Sequence, residues 1–186
     1  MWEHGMYSPL FYPSSIPCEI KYPVSFVGTF MDNRVALITY LLEKDIPIHV
    51  FGNGWDIRSN LPKRFPLQFH SAVEGKEYAD VIRQSQICLG LVSHSSQDEW
   101  TMRSYEVPAC ARLLLAERTP SHQVLFREDV DAVFFSDAEE SANKSLALLA
   151  NPIKCEQMGH VAYKIFILQN KSMEKRMKQL IQQILD

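Results

Sequence analysis

The run Ile87-Cys88-Leu89-Gly90-Leu91-Val92 is apolar at every position. A strand with one face in water alternates apolar and polar residues, so an unbroken apolar run of this length is typical of a strand covered on both faces. Such cover arises when helices pack on either side of a parallel sheet. The run therefore predicts the central strand of an α/β domain.

Further apolar runs that predict strands alternate with helical patterns along the chain. The predicted strands are 24–28, 46–51, 67–70, 87–92, 113–116 and 132–135. The predicted helices are 32–42, 78–85, 101–110 and 136–150, with a mostly helical stretch from Pro152 onward and a loop over 55–66. This alternation predicts a doubly wound parallel sheet, Rossmann-like, with a helical C-terminal segment. A ligand would bind at the carboxyl ends of its strands.

Local signals set the expected helix ends and faces. Asp32 is expected to cap the first helix, with Val35, Ile38, Leu41 and Leu42 on its buried face. Ser136 and Glu139 have the spacing of a capping box that opens the helix over 136–150. Pro108 should bend or end the helix over 101–110.

The chain is expected to contain one folded domain with two flanking segments. Residues 1–22 contain several prolines and show no helical or strand period, which predicts an extended arm or interdomain linker. Residues 23–170 form the predicted domain, and 171–186 an amphipathic helix whose apolar stripe packs against it.

Composition excludes several classes of protein. A net charge of −3 disfavours nucleic acid as the main partner. No run reaches the roughly 18 apolar residues of a membrane span, and the first residues lack the pattern of a secretory signal. The four cysteines form no CxxC pair, which indicates reduced thiols and a cytoplasmic location. No HxxxH, HxH or GxSxG spacing occurs, so we expect no metal and no catalytic triad.

Four loops at predicted strand ends are candidates for one ligand site. Gly28-Thr29 is either a simple turn or a place where a phosphate approaches the backbone. Gly52-Asn53-Gly54 is either a plain turn or a base-binding loop. The loop from His94 to Asp98 follows the central strand, and His94 is either a surface residue or a ligand contact. The fourth loop is 116–119.

Arg103 and Glu106 lie three residues apart on the helix that follows the central strand. One interpretation is a surface salt bridge between them. The other is a nucleotide site, since a carboxylate accepts two ribose hydroxyls and a guanidinium matches a diphosphate.

The segment Thr101–Cys110, followed by Leu113-Leu114-Leu115, resembles the C-terminal, donor-binding domain of GT-B glycosyltransferases of the group 1 type, and in particular their CgeB-like group. Its arginine, aromatic, glutamate and Pro-Ala-Cys pattern carries the resemblance, and 24–28 and 50–55 add to it. Ala111 stands where the family commonly has glycine, and Asp98 where it commonly has glutamate.

The resemblance implies a nucleotide sugar as donor substrate, with no cofactor and no metal. By position, Glu106 would hold the ribose, Asp98 would approach the transferred sugar, and Arg103 would stabilise the departing diphosphate. A GT-B enzyme also has an acceptor-binding half, for which 186 residues leave no room. We therefore expect an acceptor domain or a partner chain. The alternatives are a non-catalytic module that binds a nucleotide or a protein, and a receiver-like signalling domain, which would need acidic residues where Gly28-Thr29 stands.

Overall fold

A computed structural model describes residues 10–14, 18–168 and 181–182 and shows one six-stranded sheet. The strands are β1 (Tyr22–Val27), β2 (Ile48–Phe51), β3 (Phe69–His70), β4 (Ser85–Gly90), β5 (Leu113–Glu117) and β6 (Val133–Phe135). Their order is β3-β2-β1-β4-β5-β6, and every neighbouring pair is parallel. The predicted doubly wound parallel sheet is confirmed.

Helices connect these strands. They are α1 (Asp32–Glu43), α2 (Trp55–Arg58), α3 (Leu61–Arg64), α4 (Gly75–Arg83), α5 (Arg103–Ala109), α6 (Pro120–Leu125), α7 (Ala138–Leu149) and α8 (Pro152–Leu168). The prediction of a loop over 55–66 was wrong, because Trp55 and Leu61 are buried anchors that each start a short helix. Helix α6 was also missed, since a single turn opened by Thr119 and Pro120 is too short to show a period.

Apolar side chains cover both faces of the sheet. Ile87 and Leu89 of β4 belong to the cluster that contains Ile38 of α1, whereas Cys88 belongs to the opposite cluster with Tyr105 of α5. The strand predicted from the apolar run is therefore central and covered on both sides. Helices α1 and α5 consequently pack on opposite faces, which determines where a crevice opens between them.

Two predicted helix caps were wrong by one residue. Asp32 is the first residue of α1, and its N-cap is Met31, which makes no side-chain capping bond. In α7 the cap is Asp137, whose carboxylate accepts the backbone N–H of Glu140, while Glu140 accepts the N–H of Ser136. The capping box therefore uses Asp137 and Glu140 rather than Ser136 and Glu139, since an aspartate caps as well as a serine does.

The flanking segments lie largely outside the described residues. Of the predicted terminal helix over 171–186, only 181–182 are described, and they are helical. Of the predicted arm over 1–22, residues 10–14 and 18–22 are described: 10–14 and 18–21 are irregular, whereas Tyr22 already begins β1. Phe11 is buried against the domain. None of the helices in the described part is long and apolar enough to cross a membrane.

The end of α5 carries a conformational strain that one substitution should relieve. The N–H of Arg112 bonds to the carbonyl of Val107 and that of Ala111 to Pro108, which is the Schellman pattern. Ala111 has φ 54° at the position where glycine is favoured. We expect Ala111→Gly to stabilise the protein by about 0.5–1 kcal/mol, measured by urea unfolding.

The matched control for this substitution is Ala147→Gly, on the exposed side of the α7 interior. It should destabilise by about 1 kcal/mol, because a helix interior disfavours glycine. If both variants lose stability by the same amount, Ala111 is unstrained.

Three histidines are held in environments that favour the neutral ring. Burial lowers the pKa of His122, whose Nδ1 donates to the Glu117 carbonyl at 2.7 Å and whose Nε2 lies 2.9 Å from Ser104 Oγ. Burial also lowers the pKa of His49 and His70, whose rings meet with nitrogens 2.9 Å apart. Below a pH of about 6.5 the histidines bind protons more readily in the unfolded chain than in the folded chain. The free energy of unfolding therefore decreases as the pH is lowered.

We therefore expect the melting temperature to drop between pH of about 6.5 and about 5. Calorimetry across this range tests it. His122→Gln should flatten the profile, whereas His160→Gln, which replaces an exposed histidine on α8, should leave it unchanged. A wild-type profile that is flat below pH of about 6.5 would contradict the expectation.

Candidate functional site

The switch point of the sheet lies at the carboxyl ends of β1 and β4, and the space between these two strand ends is called the crevice below. These strands are neighbours in the sheet, but the chain leaves them toward opposite sides, because β2 lies beyond β1 and β5 beyond β4. Helices α1 and α5 pack on opposite faces, so nothing regular fills the space between the two strand ends. In open α/β sheets this switch point is where ligands bind.

Arg103 spans the floor of this crevice. Its Nη1 donates to the carbonyl of Val27, the last residue of β1, at 2.6 Å, and its Nη2 donates to the carbonyl of Leu91, just after β4, at 3.0 Å. Each terminal nitrogen retains one further N–H. The predicted arginine therefore fastens the two strand ends together and leaves donors available at the same place.

Arg34, which the sequence analysis did not single out, lies beside it. Its side chain is 4% exposed, and its Nη1 donates to the Thr29 carbonyl at 2.8 Å. The guanidinium carbons of Arg34 and Arg103 lie 5.3 and 5.4 Å from the centre of the same ring, that of Phe26. Burial, then repulsion by Arg103, lowers the pKa of Arg34 from 12.5 to about 10, against the attraction of Glu117 and Asp98.

Neither guanidinium has a carboxylate partner. Within the described part of the chain, no ion pair involves Arg34 or Arg103, and the buried Nε of each lacks a hydrogen-bond acceptor. Two like charges beside one aromatic ring repel each other, and the attraction of Glu117 and Asp98 does not offset the lowering of the Arg34 pKa. The crevice floor is therefore suited to bind an anion.

Glu117 at the end of β5 organises the loop after β4. Its Oε1 accepts the backbone N–H of Val92 at 2.8 Å, and its Oε2 lies 2.6 Å from Nε2 of His94. Asn33 of α1 donates to the Val92 carbonyl at 3.2 Å from the other side. The structure therefore brings His94 to the crevice mouth, with 59% of its side chain exposed.

Asp98 lies in the exposed part of the same loop. Its backbone N–H bonds to the Ser93 carbonyl at 3.0 Å, which closes the loop on itself. Its carboxylate is among the charges that raise the pKa of Arg34, so it lies in the neighbourhood of that guanidinium.

Glu106 lies farther along α5 and is only 8% exposed. The alternative interpretation, a surface salt bridge with Arg103, does not form among the described residues; instead, the Tyr78 hydroxyl of α4 donates to Glu106 Oε2 at 2.5 Å. Burial raises the pKa of Glu106, while the Tyr78 hydrogen bond and the Arg103 charge lower it. Glu106 is therefore held on the α4 side of the crevice.

The glycine-containing loops at the ends of β1 and β2 are in close backbone contact. A Cβ on Gly52 would lie 2.1 Å from the Gly28 carbonyl oxygen, and this oxygen also accepts Trp55 Nε1 at 3.0 Å. The Asn53 carbonyl accepts the Phe30 N–H, and Gly54 has φ 84° at the start of α2. These contacts account for the glycines as backbone packing, which is the turn interpretation.

The space beside these glycines is a cavity of about 240 Å³ at the ends of β2 and β3. Gly52, Asn53, Trp55 and His70 line it, among others. It lies one to two strands away from the two arginines. No cluster of three or more His, Cys, Asp or Glu side chains able to hold a metal occurs in the described residues.

A profile of the family described as Glycosyl transferase-like matches residues 34–182. This covers more than half of the chain, so the chain belongs to the glycosyl transferase-like family. No curated protein sequence matches it significantly.

Solved structures with the same fold are GT-B glycosyltransferases. Sucrose-phosphate synthase from Thermosynechococcus elongatus is 19% identical with a TM-score of 0.75, over 98% of this chain and 51% of that one. Anabaena HepE in complex with UDP-glucose is 13% identical with a TM-score of 0.76, over 97% and 55%. The chain thus spans about half the length of these proteins.

The C-terminal domain of a group 1 glycosyl transferase, LpcC from Francisella tularensis, has a TM-score of 0.68 and 13% identity, over 91% of this chain and 100% of that domain. The fold is therefore that of the C-terminal domain of a GT-B glycosyltransferase, as the resemblance implied.

The structure thus brings Arg103, His94 and Asp98 to one crevice and holds Glu106 at its side. Three further residues, Asn33, Arg34 and Glu117, lie at the site. Of these, Arg34 could have been identified from the spacing of residues in the sequence. Arg34 lies four, seven and eight residues before Ile38, Leu41 and Leu42, which is the spacing of one helix face. It takes the buried place predicted for Val35, which is half-buried.

Proposed function

We propose that this chain binds the nucleoside diphosphate part of a nucleotide sugar at the carboxyl ends of β1 and β4, as the donor-binding half of a glycosyltransferase. The observation that carries the proposal is the pair of neighbouring guanidiniums of Arg34 and Arg103, neither of which forms an ion pair with a carboxylate among the described residues. A diphosphate supplies the missing negative charge and accepts several N–H bonds at once.

Two further features support an anion at this place. The amino end of α1, a helix of 12 residues, follows the Gly28-Thr29 turn and lacks a side-chain cap, which leaves the amides of Asp32 and Asn33 to bind an anion. His94 lies beside the same loop with Nε2 bonded to Glu117, so its protonated ring can donate from Nδ1 to the distal phosphate or the sugar. In this arrangement Arg103 stabilises the charge that develops on the departing diphosphate. No metal or cofactor has a role in it.

Glu106 and Asp98 take the sugar-recognition roles. Glu106 has one carboxylate oxygen available for the ribose hydroxyls, and Asp98 approaches the transferred sugar from the exposed loop. Among the solved relatives, HepE was crystallised with UDP-glucose and with UDP. Transfer requires an acceptor-binding domain or partner chain, and the reduced cysteines favour a cytoplasmic setting.

Calorimetry with UDP, GDP, CDP and dTDP tests the proposal. We expect weak binding of at least one of them and no sugar transfer by this chain alone. Glu106→Ala should weaken binding by at least about tenfold, because a charge-assisted hydrogen bond is lost. Absence of heat with all four diphosphates would contradict the proposal.

The matched control is Glu139→Ala, which removes an exposed glutamate of α7 far from the crevice. It should bind the same diphosphate with unchanged affinity. Equal losses in both variants would show that the Glu106 effect is nonspecific.

A further inference from the structure

Tyr78 controls the state of the Glu106 carboxylate. Its hydroxyl donates to Oε2 at 2.5 Å, and burial raises the pKa of Tyr78 well above 10, so the phenol keeps its proton. A permanent donor at Oε2 favours the ionised form of a carboxyl group that burial would otherwise neutralise. The Tyr78 hydrogen bond therefore offsets part of the effect of burial on the pKa of Glu106.

The same hydrogen bond gives the two carboxylate oxygens of Glu106 different surroundings. Oε2 is occupied by Tyr78, while Oε1 accepts no hydrogen bond from the described residues and is not among the enclosed atoms that lack a partner. No hydrogen bond between described residues uses Oε1, which therefore remains to accept from a ligand.

Tyr78 is itself held by the arm that precedes the domain. The ring of Phe11, 6% exposed, meets the Tyr78 ring edge-on with centroids 5.6 Å apart. Arg83, on the same helix as Tyr78, donates to the Leu10 carbonyl at 2.9 Å and lies under the Tyr12 ring. The arm is thus fixed to α4 by both a hydrogen bond and ring contacts.

We propose that Tyr78 is a positioning residue for nucleotide binding: it holds Glu106 ionised and turned so that Oε1 meets the ribose hydroxyls, and Phe11 keeps Tyr78 in place. This rests on the proposed function, since it assigns Glu106 to the ribose. It also links the docked arm to the nucleotide site through two consecutive side-chain contacts.

The test is Tyr78→Phe, which retains the ring and its contact with Phe11 but removes the donor. UDP affinity, measured by calorimetry, should fall roughly tenfold at neutral pH, the loss expected for one hydrogen bond to a charged group. Removing the donor also raises the pKa of Glu106 further, so the loss of affinity on acidification should begin at a higher pH than in the wild type. Carbon-13 NMR of the Glu106 carboxyl group measures that titration directly, without ligand.

Three variants separate positioning from a structural role. Tyr40→Phe, on α1, removes a phenol outside this contact and should change neither affinity nor the Glu106 titration. In Glu106→Gln the further change Tyr78→Phe should have no added effect on affinity, because the two groups act as a unit. Phe11→Leu should shift both readouts in the direction of Tyr78→Phe, by a smaller amount.

The outcomes are distinguishable. If the wild type binds UDP and Tyr78→Phe binds it equally well with an unchanged Glu106 titration, the positioning role is overturned and the proposed function stands. If the wild type binds none of the four diphosphates, the proposed function falls and the ribose assignment falls with it. A lower melting temperature with unaltered affinity and titration would show that Tyr78 is only structural.

Discussion

Replacing Gly52 by alanine should destabilise the protein by roughly 3 kcal/mol or more. The added Cβ would lie 2.1 Å from the Gly28 carbonyl oxygen and 2.6 Å from its carbonyl carbon. Both atoms belong to backbone that β1, β2 and the Trp55 indole hold in place, so neither can move away from the added Cβ without a large cost in free energy. Thermal and urea unfolding should show the loss, with a melting temperature about 6–12 °C lower.

Gly75→Ala is the matched control. Gly75 has φ 53° at the start of α4, but an added Cβ there meets nothing within 4 Å. Its cost should be only about 1 kcal/mol, from the left-handed backbone alone. The difference between the two variants measures the steric contact, and equal losses would show that the ends of β1 and β2 separate easily.

The fold was predictable because its strongest signals are local. An apolar run such as 87–92 identifies a covered strand without any knowledge of its neighbours. The alternation of strands with helices then predicts the parallel sheet. The short helices were not predicted, because they lack such a local signal. Helices of four to six residues such as α2, α3 and α6 are stabilised by buried anchors rather than by a period.

The site was only partly predictable. Because strand ends converge, the loops with Gly28, His94 and Asp98 could be placed at one edge from the sequence. Tertiary contacts such as Arg103 with two strand-end carbonyls, or Tyr78 with Glu106, join residues 12 to 76 positions apart and leave no periodic trace. Glu117 was predicted only as part of the candidate loop 116–119, since nothing local shows that it fixes the loop after β4.

Arg34 offers the sharpest separation of stability from function. Arg34 is only 4% exposed and forms no ion pair with a carboxylate among the described residues, and burial with repulsion by Arg103 brings its pKa down to about 10. Burying this charge therefore costs the fold free energy. An apolar side chain of similar length avoids that cost, so the substitution should leave stability unchanged or raise it.

We expect Arg34→Met to melt at or above the wild-type temperature, with the lost hydrogen bond to the Thr29 carbonyl offsetting part of the gain. Binding of UDP, measured by calorimetry, should in contrast weaken by about 10- to 100-fold, because a desolvated guanidinium bonds strongly to a diphosphate. The two measurements should therefore move in opposite directions.

Arg64→Met is the control, since Arg64 is exposed and pairs with Glu43 on the surface. Its removal should change both stability and affinity little. If Arg34→Met lowers the melting temperature by several degrees and leaves UDP affinity unchanged, Arg34 is a packing residue and the anion site lies elsewhere. If affinity falls while stability holds, the buried charge is retained for the ligand, because a guanidinium that does not support the fold and forms no ion pair among the described residues gains a close negative charge when a diphosphate binds.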